Sequence, residues 1–331
     1  MRAREIRLTA RPRGAPTKEN FELAKVDVPE PGEGEVLVRN THMSVDPYMR
    51  GRMNAGPSYA PPFEVGKALE GGAVGIVEQS RDANLPIGSR VLSSLGWRDY
   101  AVAPGKVFRK IDTALAAPSA YLGVLGMPGF TAWVGLFVID DVKAGEVVLI
   151  SSAAGAVGNV AGQLAKRRGA RVIGATRSAE SARMIDEKLH FDDTIVLREG
   201  EVLEQLRAAA PDGIDFYFEN VGGELLEAAL ATLRPFGRIS ACGMIANYNN
   251  PVPGPRNLFL VTPKRLKIQG YIVSDHNKRF DDFVHDVAPA VASGEIVGLE
   301  TLIEGLENAP DALLSLFAPG RHVGKLVVAI I

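Results

Sequence analysis

Residues 147–178 read VVLISSAAGAVGNVAGQLAKRRGARVIGATRS. The apolar run VVLISS reads as a strand, AVGNVAGQLAKRRG as a helix and RVIGAT as a second strand, which is the βαβ rhythm of a buried parallel sheet. Between the first strand and the helix, Ala153, Gly155 and Gly158 form an A-x-G-x-x-G turn of the dinucleotide-binding type. Gly155 lets backbone approach a pyrophosphate, Gly158 lets the helix pack closely, and the unpaired amides at the helix start, around Ala156 and Val157, favour an anion. Alanine fits the first position only if the turn there does not demand a positive φ. The second strand ends at Thr176, Arg177 and Ser178 without the acidic residue that grips an unphosphorylated ribose, which favours NADP over NAD. Arg177 is placed to meet a 2′-phosphate through a charged fork, with Ser178, Ser181 and Arg183 as lesser candidates, or these arginines are simply solvated.

Moving outward, GIDFYFENV, GRISACGM and LKIQGYIV continue the strands, with GGELLEAALATLRP as a helix. Upstream, GEVLVRN, GGAVGIVEQ, GSRVLSSLGW and RDYAVAPGKVFRK are short β-prone runs between Pro/Gly turns, which suggests an antiparallel β-rich domain. PDALLSLFAPG reads as a short helix and GKLVVAI as a terminal strand. The expected organisation is α/β: a β-rich domain over residues 1–122 completed by 300–331, and a doubly wound nucleotide domain over 123–299.

A chain of 331 residues suits two domains, and 46% hydrophobic with 23% charged residues excludes global disorder. Lys and Arg total 37 against 39 Asp and Glu, a net −2, so no overall positive field draws nucleic acid or an anionic membrane. The one cysteine, Cys242, excludes an intrachain disulfide, and with five histidines it is poor material for a zinc cluster. MRAREIRLTARPRG, at residues 1–14, resembles neither a signal peptide nor an anchor, and a cytoplasmic location is the expectation.

FENVGG follows a strand at the edge where open parallel sheets place ligands. Asn220 there can address a ribose or carboxamide, or the glycines can merely start a helix. CGMIANYNN likewise places Cys242, Gly243 and Met244 near the cofactor edge and Tyr248 toward a substrate; Cys242 reads as a small buried residue rather than a nucleophile.

Six stretches together carry a resemblance: MSVDPYMRGRM (43–53), LGMPGFTAWVGL (125–136), AAGAVGNVAGQLAKRRGARVIG, FENVGG (218–223), CGMIANYN (242–249) and HVGKLVV (322–328). They resemble the zinc-independent medium-chain reductases of the prostaglandin reductase, or leukotriene 12-hydroxydehydrogenase, group. That resemblance implies a GroES-like N-terminal domain, a Rossmann domain, a homodimer, and NADPH-dependent reduction of activated carbon–carbon double bonds in a small-molecule substrate. It also implies that Tyr48 and Arg52 border the active cleft, Met127 and Thr131 touch the cofactor face, and Asn220 and Tyr248 lie near nicotinamide and substrate. The group commonly has lysine at Ser181, tyrosine at Leu197, asparagine at His322 and, in some members, tyrosine at Pro263, so Arg177 or Arg183 has to replace the phosphate contacts.

The N-terminal part contains no cysteine, and His42 alone cannot make a metal site, which argues against zinc alcohol chemistry. Tyr248 and Tyr48 are the candidates to hydrogen-bond a substrate carbonyl, with water as an alternative proton source. Tyr59, Phe63 and Met53 form either an apolar substrate mouth or an ordinary loop. Reduction of an enone or enal is the expected activity; quinone reduction and a non-catalytic NADP-binding role are the alternatives.

Overall fold

The computed structural model describes residues 1–318 and 322–330. In chain order the N-terminal strands are β1 (Arg2–Leu8), β2 (Phe21–Asp27), β3 (Glu35–Ser44), β4 (Ala73–Ser80), β5 (Arg90–Ser93), β6 (Tyr100–Pro104) and β7 (Arg109–Lys110), with a short helix α1 (Met49–Arg52) after β3. Next come α2 (Met127–Phe137), β8 (Val147–Ser151), α3 (Gly158–Arg167), β9 (Arg171–Thr176), α4 (Ala179–Met184), β10 (Asp193–Val196), α5 (Val202–Ala209), β11 (Ile214–Glu219), α6 (Gly223–Thr232) and β12 (Leu233–Ala241). The chain continues through α7 (Val261–Lys264), β13 (Lys267–Gly270), α8 (Phe280–Ala292), β14 (Glu300–Glu304), α9 (Ala309–Ser315) and β15 (Lys325–Ala329).

Two compact units result. The first holds Met1–Leu122, Glu300–Ala318 and the chain from Leu326; the second holds Gly123–Leu299 and a short piece ending at Lys325. The C-terminal return therefore does not belong whole to the first unit, because Gly324 bridges Gly155 and its N–H donates to the Ala154 carbonyl at 2.6 Å. Residues 319–321 and 331 of that return lie outside the described residues.

In the first unit, a sheet runs β14-β15-β3-β4-β5-β7, antiparallel from β15 to β7, with β6 also paired antiparallel to β3. β3 accepts this because Val36, Val38 and Met43 bury their side chains against Val77, Val91 and the apolar face of β15. The charged opening RAREIRL is itself a strand: Ala3, Ile6 and Leu8 are buried while Arg2 is exposed and Arg4 and Arg7 are half-buried, and it pairs with β2.

In the second unit, six strands run in the order β10-β9-β8-β11-β12-β13, every pairing parallel. Counted from β8, this is the 3-2-1-4-5-6 order of a doubly wound sheet, and the order reverses between β8 and β11. Leu149, Ile173, Tyr217 and Ile239 from four adjacent strands bury completely under α5 and α6. Among the described residues no helix is long and apolar enough to cross a membrane.

Candidate functional site

At the carboxyl end of β8 the chain must turn sharply into α3, and the positive φ this requires falls on Ser152, at 49°, rather than on Ala153. Ala153 is instead fully buried, its N–H donating to the Ala175 carbonyl at 3.0 Å. Gly155 N–H closes the turn on the Ser152 carbonyl at 2.7 Å. A Cβ on Gly158 would stand 2.2 Å from that same carbonyl oxygen, and one on Gly155 would stand 2.7 Å from Ser152 Oγ. The turn is thus built as a backbone cradle at both glycines, and Val157, the residue before α3, has no side-chain cap to occupy the first-turn amides. Such a surface of unoccupied N–H groups at a helix start fits a pyrophosphate. His322 lies two residues before Gly324, which bridges Gly155 of this turn.

At the end of β9, Thr176 is buried and its carbonyl takes the Leu197 N–H at 2.8 Å. Leu197 packs on the core of this unit. Arg177 and Arg183 are both exposed, whereas Ser178 Oγ accepts the Ser181 N–H at 3.2 Å as the cap of α4. The hydroxyl of Ser178 therefore already has a structural task, and Ser181 is buried.

The neighbouring strand end carries the second cluster. Ser151 Oγ donates to the Phe218 carbonyl at 2.9 Å and accepts the Asn220 N–H at 2.7 Å, while Asn220 Nδ2 donates to the Ser151 carbonyl at 2.9 Å. The N–H groups of Cys242 and Gly243 both reach the Glu219 carbonyl, and Ile245 N–H reaches that of Asn220, which ties the loop after β12 to the turn after β11. A Cβ on Gly243 would meet Tyr248 Oη at 3.1 Å and the Asn220 carbonyl at 3.8 Å. Asn220, Gly243 and Tyr248 are thereby brought together. Met244 is partly exposed and Cys242 is half-buried, burial pushing its thiol up to about 12 while Tyr271 opposes the shift. At neutral pH this thiol is neutral, as a structural cysteine is.

On α2, Met127 is 40% exposed at the helix start, but the Thr131 hydroxyl donates to the Met127 carbonyl at 2.8 Å and is buried. The sequence reading did not include Glu219, a fully buried carboxyl at the end of β11. Its available signal was an acidic residue closing the aromatic run FYF with no basic residue beside it.

In the first unit, Tyr48 packs on the core cluster, and burial, aided by Asp46, holds its phenol well above the ordinary value. Arg52 donates to the Pro61 carbonyl at 2.8 Å and to Glu70 at 2.7 Å, and its guanidinium lies 4.2 Å from the Phe63 ring centre. Met53 and Phe63 are core residues rather than a substrate mouth; only Tyr59, 59% exposed, remains outside. His42, mid-strand in β3, has Nδ1 3.0 Å from Thr41 Oγ1.

Sequence and structure comparisons bear on both units. The family described as N-terminal domain of oxidoreductase matches residues 4–111, and that described as zinc-binding dehydrogenase matches residues 156–288. The chain is 41% identical to the NADPH-dependent curcumin reductase of Escherichia coli, covering 98% of this chain and 95% of that protein. It is 38% identical to the NADP-dependent 2-alkenal reductase of Nicotiana tabacum, covering 96% and 94%. Its structure matches CurA of Vibrio vulnificus in complex with NADPH at a TM-score of 0.92 and 40% identity, over 99% of each chain.

Proposed function

Because the chain belongs to the zinc-independent medium-chain dehydrogenase/reductase group that includes the 2-alkenal and prostaglandin reductases, we propose that it is an NADPH-dependent reductase of the activated double bond in α,β-unsaturated ketones and aldehydes. The observation that carries this reading is the joining of a glycine cradle after β8 to the Asn220–Gly243–Tyr248 cluster, at the point where the strand order reverses. NADPH supplies the hydride when bound; the remaining work belongs to the chain. The Ala156, Val157 and Gly158 amides hold the diphosphate, Arg177 with Arg183 meets the 2′-phosphate, and Asn220 faces the nicotinamide side. Tyr248 donates to the substrate carbonyl oxygen as charge collects there after attack at the β-carbon. We assign Arg52 to holding the 53–63 loop, since its donors already reach Pro61 and Glu70.

The deciding experiment mixes the protein with NADPH and a short enone. Cofactor is consumed and the saturated ketone forms; an allylic alcohol as the sole product overturns the reaction, and turnover confined to quinones points to quinone reduction instead.

Arg177→Ala tests the coenzyme assignment. Loss of a charge-assisted contact worth about 1.5–3 kcal/mol weakens NADPH binding by roughly 10- to 100-fold. NADH, lacking the phosphate, is unaffected. Equal weakening of both, read by direct titration, removes Arg177 from the phosphate site.

A further inference from the structure

Glu219 is a buried carboxyl to which the proposed chemistry gives no task. Its hydrogen bonds all pass through one oxygen: Oε1 accepts Val221 N–H at 2.6 Å, Gly222 N–H at 3.0 Å and Tyr217 Oη–H at 2.9 Å, with Ser151 Oγ farther off at 3.4 Å. Oε2 is buried and has no partner among the described residues. Burial pushes the carboxyl up, and the bonds from Gly222, Val221, Tyr217 and Ser151 oppose that shift. No lysine or arginine contributes, so the group is not one half of an ion pair.

The shape of the turn explains why an acceptor is needed there. Gly222 has φ 78° and Gly223 has φ 60°, so two successive residues lie in the left-handed region that only glycine enters readily. Two glycines in sequence leave the turn conformationally loose unless something outside its own backbone fixes it. Oε1 gathers two consecutive N–H groups of that turn, and Tyr217, fully buried in the sheet core, braces the carboxylate from below. The same turn sets the 242–248 loop, because Ile245 N–H bonds the Asn220 carbonyl and Ala246 N–H bonds that of Val221, at 3.1 and 3.0 Å.

We propose that Glu219 is a positioning residue for the nicotinamide half of the cofactor site, acting through the reach of its single acceptor oxygen rather than through its charge. This rests on the NADPH reading above. It assigns Glu219 no contact with substrate or cofactor: it fixes the backbone that presents Asn220 and Tyr248.

Two substitutions separate reach from charge. Glu219→Gln keeps an oxygen at the position of Oε1 and discards the charge; Glu219→Asp keeps the charge and withdraws the oxygen by one methylene. Each is titrated with NADPH and with 2′,5′-ADP, which carries only the adenosine half, and melting temperature is recorded alongside. The expectation is that Glu219→Asp weakens NADPH about tenfold, the equivalent of one good hydrogen bond, with 2′,5′-ADP within about twofold of wild type. Glu219→Gln retains both affinities, although its buried amide lowers the melting temperature. Faster amide exchange at Val221 and Gly222 in the aspartate variant alone supports the same reading without any ligand. The proposal is overturned if the glutamine variant loses NADPH as severely as the aspartate variant, or if both ligands weaken together. Wild-type protein that binds neither ligand would instead defeat the cofactor reading itself.

Discussion

Gly158→Val is expected to weaken NADPH binding by about 30- to 100-fold, the equivalent of roughly 2–3 kcal/mol of overpacking, and to lower the melting temperature. The cause is local and backbone-borne. Even the first added carbon would stand 2.2 Å from the Ser152 carbonyl oxygen and 2.9 Å from Ala153 Cα, neither of which can rotate aside. Relief requires α3 to move away from the end of β8, and that movement carries the Ala156, Val157 and Gly158 amides off the diphosphate. Gly155→Ala makes the internal comparison. Its nearest obstacle, at 2.7 Å, is Ser152 Oγ, which a rotamer change can remove, although the Ser152 carbonyl remains at 3.0 Å. A smaller loss is therefore expected at Gly155. NADPH titration of a folded Gly158→Val protein with wild-type affinity would sink the cradle assignment.

The glycine turn was legible because its spacing reports a steric fact: only glycine survives where backbone meets backbone. The point of greatest strain was not, since the positive φ falls on Ser152, and a serine carries no sign of it. Helix α2 illustrates a different loss. Residues 128–136 are buried all round, so the apolar stripe that betrays a surface helix is missing, and Pro128, Gly129 and Gly135 lower its intrinsic helical tendency. Packing overrides both: a Cβ on Gly135 would stand 2.5 Å from the ring of Phe218 and from Tyr271 Oη. The strand Arg2–Leu8 was hidden because arginines at positions 2, 4 and 7 break any period-2 apolar pattern: Ile6 and Leu8 are buried on one face and Ala3 on the other. Arg52 needed partners 9 and 18 residues away, Pro61 and Glu70, before its structural task could be seen. Glu219 was illegible for the converse reason: a carboxylate in a sequence looks solvated, and only the fold shows that its donors are the Val221 and Gly222 amides and the Tyr217 hydroxyl.

Tyr248→Phe is expected to lower kcat by about 10²- to 10³-fold while leaving the NADPH affinity within about twofold, the effect of removing one donor from a developing oxyanion. Hydride arrival at the β-carbon of an enone pushes negative charge onto the carbonyl oxygen. A phenol, with an ordinary pKa near 10, is protonated at neutral pH and can donate there without first acquiring a proton. The backbone is fixed by the Tyr248 N–H, which bonds the Ile245 carbonyl at 3.2 Å, and Gly243, lacking a side chain, leaves room where Tyr248 Oη stands. An unchanged NADPH affinity shows that phenylalanine leaves the loop in place, and the rate loss then reports the hydroxyl. The dependence on substrate sharpens the test. Enones whose carbonyl is made more electron-withdrawing by a neighbouring group stabilise their own charge and need the donor less, so the penalty should shrink along such a series. A rate preserved across the whole series would remove Tyr248 from the oxyanion and leave water as the donor, whereas a loss accompanied by equally weakened NADPH binding would mark the hydroxyl as a support of the 242–248 loop.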